Sequence, residues 1–130
     1  MLRTFINSSA NYSIDKEKIK KQAKDILQKH KIDDAEVGIF FVGDKKISQL
    51  NKRFMKRHGT TDVLSFPMTG GDELDFVEPA QVKKRAYLGD IFVCYPQAKR
   101  QASEYNLPVD TEIGKLVEHG ILHLLGIHHK

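Results

Sequence analysis

The sequence predicts an α/β (α+β) fold with a mixed four-stranded sheet covered by helices. Two observations support this. Apolar runs with strand composition are interspersed with segments of helical periodicity, in the order β-α-β-α-β-β-α-α. The 130 residues are 40% hydrophobic and 29% charged, which is typical of a globular chain. That length supports one core, so residues 1–130 are predicted to form a single domain.

Four segments have the composition of strands. Residues 1–8 are the first, and EVGIFFVG (residues 36–43) is a continuous apolar run ended by glycine, typical of a buried strand. DVLSFPM (62–68) contains Pro67, which confines a strand to an edge or an end. AYLGDIFVCY (86–95) is the last. Residues 69–79, TGGDELDFVEP, combine glycines, acids and a proline and are predicted to be a mobile loop.

Four further segments repeat apolar residues at helical spacing and carry start or stop signals. Asp15 and Asp44 are predicted N-caps, and Pro96 suits the first turn of the third helix. The predicted helices run from Asp15 to about His30, from Asp44 to a break at Gly59, from Pro96 to about Tyr105, and from Pro108 and Asp110 to Gly126.

Several features predict a cytoplasmic protein without membrane or disulfide partners. No apolar run approaches the ~20 residues that cross a bilayer, and the N-terminus does not resemble a secretory signal. The one cysteine, Cys94, lies in the apolar run IFVC and is interpreted as a buried hydrophobe.

Basic residues are concentrated in one region. The net charge is only +4, but six basic residues and no acid lie between positions 45 and 57. They are Lys45, Lys46, Lys52, Arg53, Lys56 and Arg57. Such a run is ordinarily a solvated helix face; beside a chemical site, it would favour an anionic partner.

Four of the six histidines lie near the C-terminus, in EHGILHLLGIHHK. His119 and His123 are four residues apart, which puts both imidazoles on one helix face. Gly126 allows a sharp turn that can return His129 toward them. Three imidazoles with an open fourth position are typical of a catalytic zinc site, so the last helix is predicted to end in a metal site. His128 competes with His129 as third ligand, or is exposed, or supports the ligands.

The spacing also matches the metzincin peptidase motif H-E-x-x-H-x-x-G-x-x-H, with one difference. Gly120 stands where the peptidase has the glutamate that serves as general base. A metallopeptidase or other zinc hydrolase therefore becomes the alternative function. A non-catalytic, metal-stabilised RNA-binding protein is a third possibility.

Three stretches together resemble the YbeY-type endoribonucleases: HGILHLLGIHH, LNKRFMKRHGTTDVLSFP (residues 50–67) and LGDIFVC (residues 88–94). The resemblance implies a cytoplasmic, metal-dependent hydrolase that cuts single-stranded RNA. It also implies a role in 16S rRNA 3′-end maturation and ribosome quality control, with the ribosome or a subunit as partner. His119, His123 and His129 would bind one Zn²⁺, or another divalent transition metal such as nickel.

The chain departs from the family pattern at two positions. His128 replaces an aspartate, which leaves open whether it supports the other ligands or replaces one. Met55 replaces an arginine, so either Lys56 or Arg57 would have to contact phosphate, or activity would be weak. Arg57 belongs to a predicted RNA-binding set with Lys52, Arg53 and Lys56.

No residue stands out as general base, so a metal-bound water aided by Arg57 and Ser65, or a substrate 2′-hydroxyl, is the expected nucleophile. Ser65, with Thr61 and Asp62, either orients water or phosphate or forms turn hydrogen bonds. Asp90, in an apolar strand, needs a partner such as a histidine or backbone amide, and is a candidate to orient a metal-binding histidine by a hydrogen bond. Phe66 and Tyr87 are candidates for base stacking, although core packing is favoured for Phe66.

Overall fold

A computed structural model describes residues 1–68 and 86–127. Strands β1 (Leu2–Ser8), β2 (Ala35–Val42), β3 (Val63–Pro67) and β4 (Ala86–Cys94) form one sheet in the order β1-β2-β4-β3. β1, β2 and β4 are parallel, and β3 pairs antiparallel with β4. The predicted mixed four-stranded sheet is confirmed, and Pro67 ends an edge strand as expected. The predicted loop at residues 69–79, His128 and His129 lie outside the described residues.

Within the described ranges, four helices accompany the sheet. They are α1 (Lys16–Lys29), α2 (Asp44–Met55), α3 (Tyr95–Glu104) and α4 (Val109–Leu124). The predicted element order is confirmed. Asp15 caps α1 as predicted, its carboxylate accepting a hydrogen bond of 3.1 Å from the Lys18 amide. No described helix has both the length and the apolar character needed to cross a membrane.

Apolar side chains are buried on both faces of the sheet. The main core lies between the sheet and helices α1 and α4, where Val37, Ile39 and Ile91 have no exposed surface. A smaller core under α2 contains Ile47, with Leu64 and others. Burial on both faces explains why β2 reads as a continuous apolar run.

The start of α2 differs from the prediction. Gly43, in extended conformation, is the N-cap, and Asp44 is the first helical residue. The Asp44 carboxylate instead accepts hydrogen bonds of 2.7 and 3.2 Å from Arg100 and one of 3.3 Å from the Cys94 thiol. The hydrogen bond from Arg100 lowers the pKa of Asp44 below its ordinary value.

The ends of α2 and α4 set the geometry around the site. α2 ends at Met55, and Lys56 adopts a left-handed conformation with φ of 58°, so the break comes before Gly59. After α4, Gly126 has φ of 80°, and its amide donates to the His123 carbonyl at 3.0 Å. The Ile127 amide donates to the Leu122 carbonyl at 2.9 Å. This pair of bonds is a Schellman motif, and it confirms the turn predicted at Gly126.

Candidate active site

His119 and His123 lie one helical turn apart on α4 and line the same cleft, as their spacing predicts. His119 is exposed and His123 is half-buried. The cleft has a volume of about 350 Å³ and opens between α4, the start of β3 and the C-terminal end of α2. We call it the histidine cleft. Its lining residues are Asn51, Met55, Arg57, Thr61, Val63, Leu64, Ser65, His119 and His123.

Gly120 allows α4 to lie close to the sheet. A Cβ atom at position 120 would lie 2.7 Å from Cγ2 of the fully buried Ile91. On the β3 side, the Ser65 hydroxyl donates to the Gly120 carbonyl at 3.3 Å. Position 120 therefore faces the sheet rather than the cleft, and the Ser65 hydroxyl anchors α4.

Asn51 was not identified from the sequence, although it connects α2 to the cleft. It is only 5% exposed. Its side-chain amide donates to the Gly59 carbonyl at 3.1 Å, and its backbone carbonyl accepts from the Arg57 backbone amide at 3.3 Å. These bonds hold the segment after α2 so that Arg57 lines the cleft. The sequence did contain a signal for Asn51. It lies one helical turn after Ile47 and so on the inward face of α2, where a buried amide requires hydrogen-bond partners.

The predicted RNA-binding residues are not all at the cleft. Arg57 lines it, whereas Lys52, Arg53 and Lys56 do not belong to its lining, although all four are exposed. The Arg53 guanidinium lies 5.3 Å from the centre of the Phe54 ring. Of this set, the structure therefore brings only Arg57 to the histidines.

The residues at the start of β3 make the expected hydrogen bonds, and Thr61 also lines the cleft. Thr61 lines the cleft, and its hydroxyl lies 3.5 Å from an Asp62 carboxylate oxygen. The Asp62 carbonyl accepts a hydrogen bond of 2.8 Å from the Cys94 amide, which joins β3 to the end of β4. The Asp62 side chain is not part of the cleft lining.

Two of the predicted residues lie away from the histidines. Tyr87 donates a hydrogen bond to Asp90, so the partner of Asp90 is a phenol rather than the expected histidine or backbone amide. Burial, reinforced by this bond, raises the pKa of Tyr87. A Cβ atom added at Gly38 of β2 would lie 2.7 Å from the Asp90 carboxylate. The side chain of the following residue, Ile91, lies instead against Gly120 of α4. Asp90 thus lies on the sheet face opposite the histidines.

Phe66 packs into the core beneath α2. Its ring centre is 5.4 Å from that of Phe54 and 5.6 Å from that of Phe92, both in edge-to-face geometry. Core packing, the interpretation favoured for Phe66, is confirmed.

The donors in the histidine cleft are nitrogen and neutral oxygen, since no carboxylate lines it among the residues that the structure describes. Within residues 1–68 and 86–127, no group of three or more His, Cys, Asp or Glu side chains is arranged to hold a metal ion. The predicted third ligand, His129, and its neighbour His128 lie outside these ranges.

Fold and site together define a class: a small α+β protein whose last helix presents paired histidines to an arginine-flanked cleft. The family model for Endoribonuclease YbeY matches residues 4–130. The chain therefore belongs to the YbeY endoribonuclease family.

Individual relatives agree with this assignment. The chain is 39% identical over its whole length to Endoribonuclease YbeY of Persephonella marina, covering 80% of that protein. It is 35% identical over 90% of its length to the Aquifex aeolicus Endoribonuclease YbeY, covering 71% of it. The fold is similar to the solution structure of TM1509 from Thermotoga maritima, with a TM-score of 0.64 and 31% identity, covering 98% of this chain and 75% of that one.

Proposed function

We propose that this protein is a metal-dependent endoribonuclease that cuts single-stranded RNA, acting in the cytoplasm on the 3′ end of 16S rRNA and in ribosome quality control. The relatives named Endoribonuclease YbeY support hydrolysis of RNA. The observation that carries the proposal is the shared cleft, because His119, His123 and Arg57 line one cavity.

His119, His123 and His129 would hold one Zn²⁺. The donor chemistry fits this ion, since two imidazoles one turn apart on a packed helix suit a borderline-soft divalent cation. Nickel or another divalent transition metal suits the same nitrogen donors. When bound, the ion supplies positive charge that polarises a phosphoryl oxygen. His128, next to the third ligand, is positioned in sequence to orient it or to replace it.

The protein's own residues supply the electrostatic setting. No carboxylate among the described lining residues offsets the positive charge of Arg57. An anionic phosphodiester gains negative charge on its oxygens as it reacts, so an exposed guanidinium at the wall stabilises that state more than the ground state. Thr61, whose hydroxyl also lines the cleft, can orient a phosphate oxygen by donating a hydrogen bond.

The positions of Met55 and Arg57 suggest which residue takes the role of the arginine that the family has at position 55. Met55 lines the cleft but offers no charge, whereas Arg57, two residues later, lines the same cleft. Lys56 does not. Of the two candidates to replace the family's arginine, Arg57 is therefore the one that the geometry supports.

The described lining of the histidine cleft lacks the general base that peptide hydrolysis would require. A peptidase of the metzincin type needs a glutamate beside the first histidine as general base. Position 120 faces Ile91, so a longer side chain there would meet the sheet rather than a substrate. The described lining contributes no other carboxylate base.

The test couples metal content to RNA cleavage. Wild-type protein should purify with close to one equivalent of zinc and cut a single-stranded oligonucleotide but not the matching duplex. His123→Ala should lose both metal and cleavage. His58→Ala, which changes an exposed histidine outside the cleft lining, should keep both.

Two outcomes contradict the proposal. Cleavage of RNA by His123→Ala at the wild-type rate would remove the histidines from the reaction. Tight zinc binding and RNA binding without cleavage would identify a non-catalytic RNA-binding protein instead.

A further inference from the structure

A second cleft lies on the other flank of α4, between α4 and the C-terminal end of α1. We call it the α1–α4 cleft. Its volume is about 450 Å³, and its lining residues are Lys29, His30, Lys115, Glu118, His119, Leu122 and Ile127. His119 lines both clefts, so its exposed imidazole stands at the wall between them.

The lining combines an apolar surface with a basic rim. Leu122 and Ile127 provide the apolar part, while Lys29, Lys115 and His30 outnumber the one acid, Glu118, among the described lining residues. A nucleotide has matching components, an apolar base face and an anionic phosphate. Neither a purely apolar ligand nor a small anion would use both parts of the lining.

Lys115 is able to turn toward an anion. Its ammonium lies 4.0 Å from the nearest Glu112 carboxylate oxygen and 5.7 Å from the centre of the Tyr105 ring. Its side chain is 59% exposed. The Glu112 side chain is only 4% exposed, but at 4.0 Å the Lys115 ammonium makes no hydrogen bond to it and can turn toward a phosphate without breaking one.

We propose that the α1–α4 cleft binds a nucleotide of the same single-stranded RNA whose scissile phosphodiester lies in the histidine cleft. The inference rests on the proposed function and extends it to the substrate's flanking segment. An RNA strand carries a phosphate at every nucleotide, so a strand crossing His119 brings its next phosphates to Lys29 and Lys115. Because the two clefts share His119, they are adjacent, and one strand can contact both.

Binding of a fluorescent 2′-O-methyl oligouridylate of about twelve nucleotides, a strand that resists cleavage, tests the proposal by anisotropy over a range of salt concentrations. The doubly substituted Lys29→Gln/Lys115→Gln protein should bind about three- to tenfold more weakly than wild type. Its salt dependence, the slope of log K against log salt, should be smaller by about 1.4, from two lost phosphate contacts.

The matched control is Lys16→Gln/Lys99→Gln. It removes the same charge from α1 and α3 at exposed positions that line neither cleft. This control should bind like wild type to within about twofold. Equal weakening of both double variants would overturn the second cleft, since only overall charge would then matter.

A change of opposite sign strengthens the test. Glu118→Gln removes the acid of the α1–α4 cleft and should tighten binding more than Glu104→Gln, an exposed acid on α3. Equal effects would contradict the proposal. If RNA is bound and cut by wild type but the charge variants match their controls, only the second cleft fails. If wild type does not bind the oligonucleotide, the proposed function fails with it.

Discussion

Gly120→Ala is predicted to destabilise the protein, although alanine is the better helix former. The new Cβ would lie 2.7 Å from Cγ2, 3.0 Å from Cδ1 and 3.1 Å from Cγ1 of Ile91. Ile91 is completely buried in the main core and its β-branch is stiff, so the contact cannot be relieved by a simple rotation. α4 would have to move away from the sheet, which would also stretch the bond from Ser65.

The expected change in the free energy of unfolding combines one gain and two costs. Replacing glycine by alanine inside a helix contributes about 1 kcal/mol of stability. Overpacking a filled core costs about 1–3 kcal/mol, and loss of the hydrogen bond from Ser65 costs about 0.5–1.5 kcal/mol. The net loss for Gly120→Ala should therefore be roughly 0.5–3.5 kcal/mol.

Gly114→Ala is the matched control, because it makes the same substitution in the same helix. A Cβ there would lie 2.7 Å from the Gln22 side-chain nitrogen, the movable end of a flexible side chain. The gain in helix propensity, about 1 kcal/mol, would be offset by weakening of the 2.9 Å bond from Gln22 to the Gly114 carbonyl, worth about as much. This variant should stay near wild-type stability.

Urea denaturation of both variants measures the difference. Gly120→Ala should unfold at a clearly lower urea concentration than Gly114→Ala, with a similar slope. In an Ile91→Ala background, the cost of Gly120→Ala should largely disappear, since the atoms it meets are gone. Equal midpoints for the two glycine variants would refute the close contact between α4 and the sheet. So would a cost that persists without the Ile91 side chain.

Three further predictions concern the cleft and its surroundings. Arg57→Gln should reduce RNA cleavage by about tenfold or more, and Asn51→Ala should reduce it too, with less than additive loss in the double variant, as measured by kcat/KM. Asp44→Asn should lower the free energy of unfolding at neutral pH, and the difference should vanish in acid. The sign follows because the pKa of Asp44 is lower in the folded state than in the unfolded state. The stabilisation that its carboxylate provides is therefore present above the unfolded pKa and lost as the pH falls through the folded pKa. If the urea midpoints of wild type and Asp44→Asn differ by the same amount at every pH, this reasoning is wrong. Burial raises the pKa of the Cys94 thiol to about 11, so Ellman's reagent near pH 8 should label it only on unfolding, and rapid labelling of native protein would contradict this.

Local patterns predicted the elements of the fold well. The order of elements along the chain and the helix ranges depend on apolar periodicity and on Gly and Pro signals, which are local in sequence. Gly126 is an example, since its left-handed conformation follows from its position after a helix. Errors arose where distant residues compete for a side chain. Asp44 had the sequence of an N-cap, but Arg100 and Cys94, fifty or more residues away, use its carboxylate.

The site was only partly predictable for the same reason. His119 and His123 follow from helical spacing, because four residues on one helix fix their relation. Asn51 does not, since its importance depends on where the chain goes after α2 ends at Met55. Asp90 was expected to have a partner, such as a histidine or a backbone amide, because an unpaired carboxylate in a strand is costly. Tyr87, three residues earlier in the same strand region, met that need instead.

Gly120 connects the packing of the protein to its chemistry. From the sequence alone, a glycine at position 120 indicated only that the general base of a peptidase is absent. In the structure, the same position touches Ile91, so the absence of a side chain is required for α4 to approach the sheet. That approach places His119 and His123 across the histidine cleft from the segment held by Asn51. A glutamate at position 120 would therefore not convert this site into a peptidase, because it would displace the helix that carries the histidines.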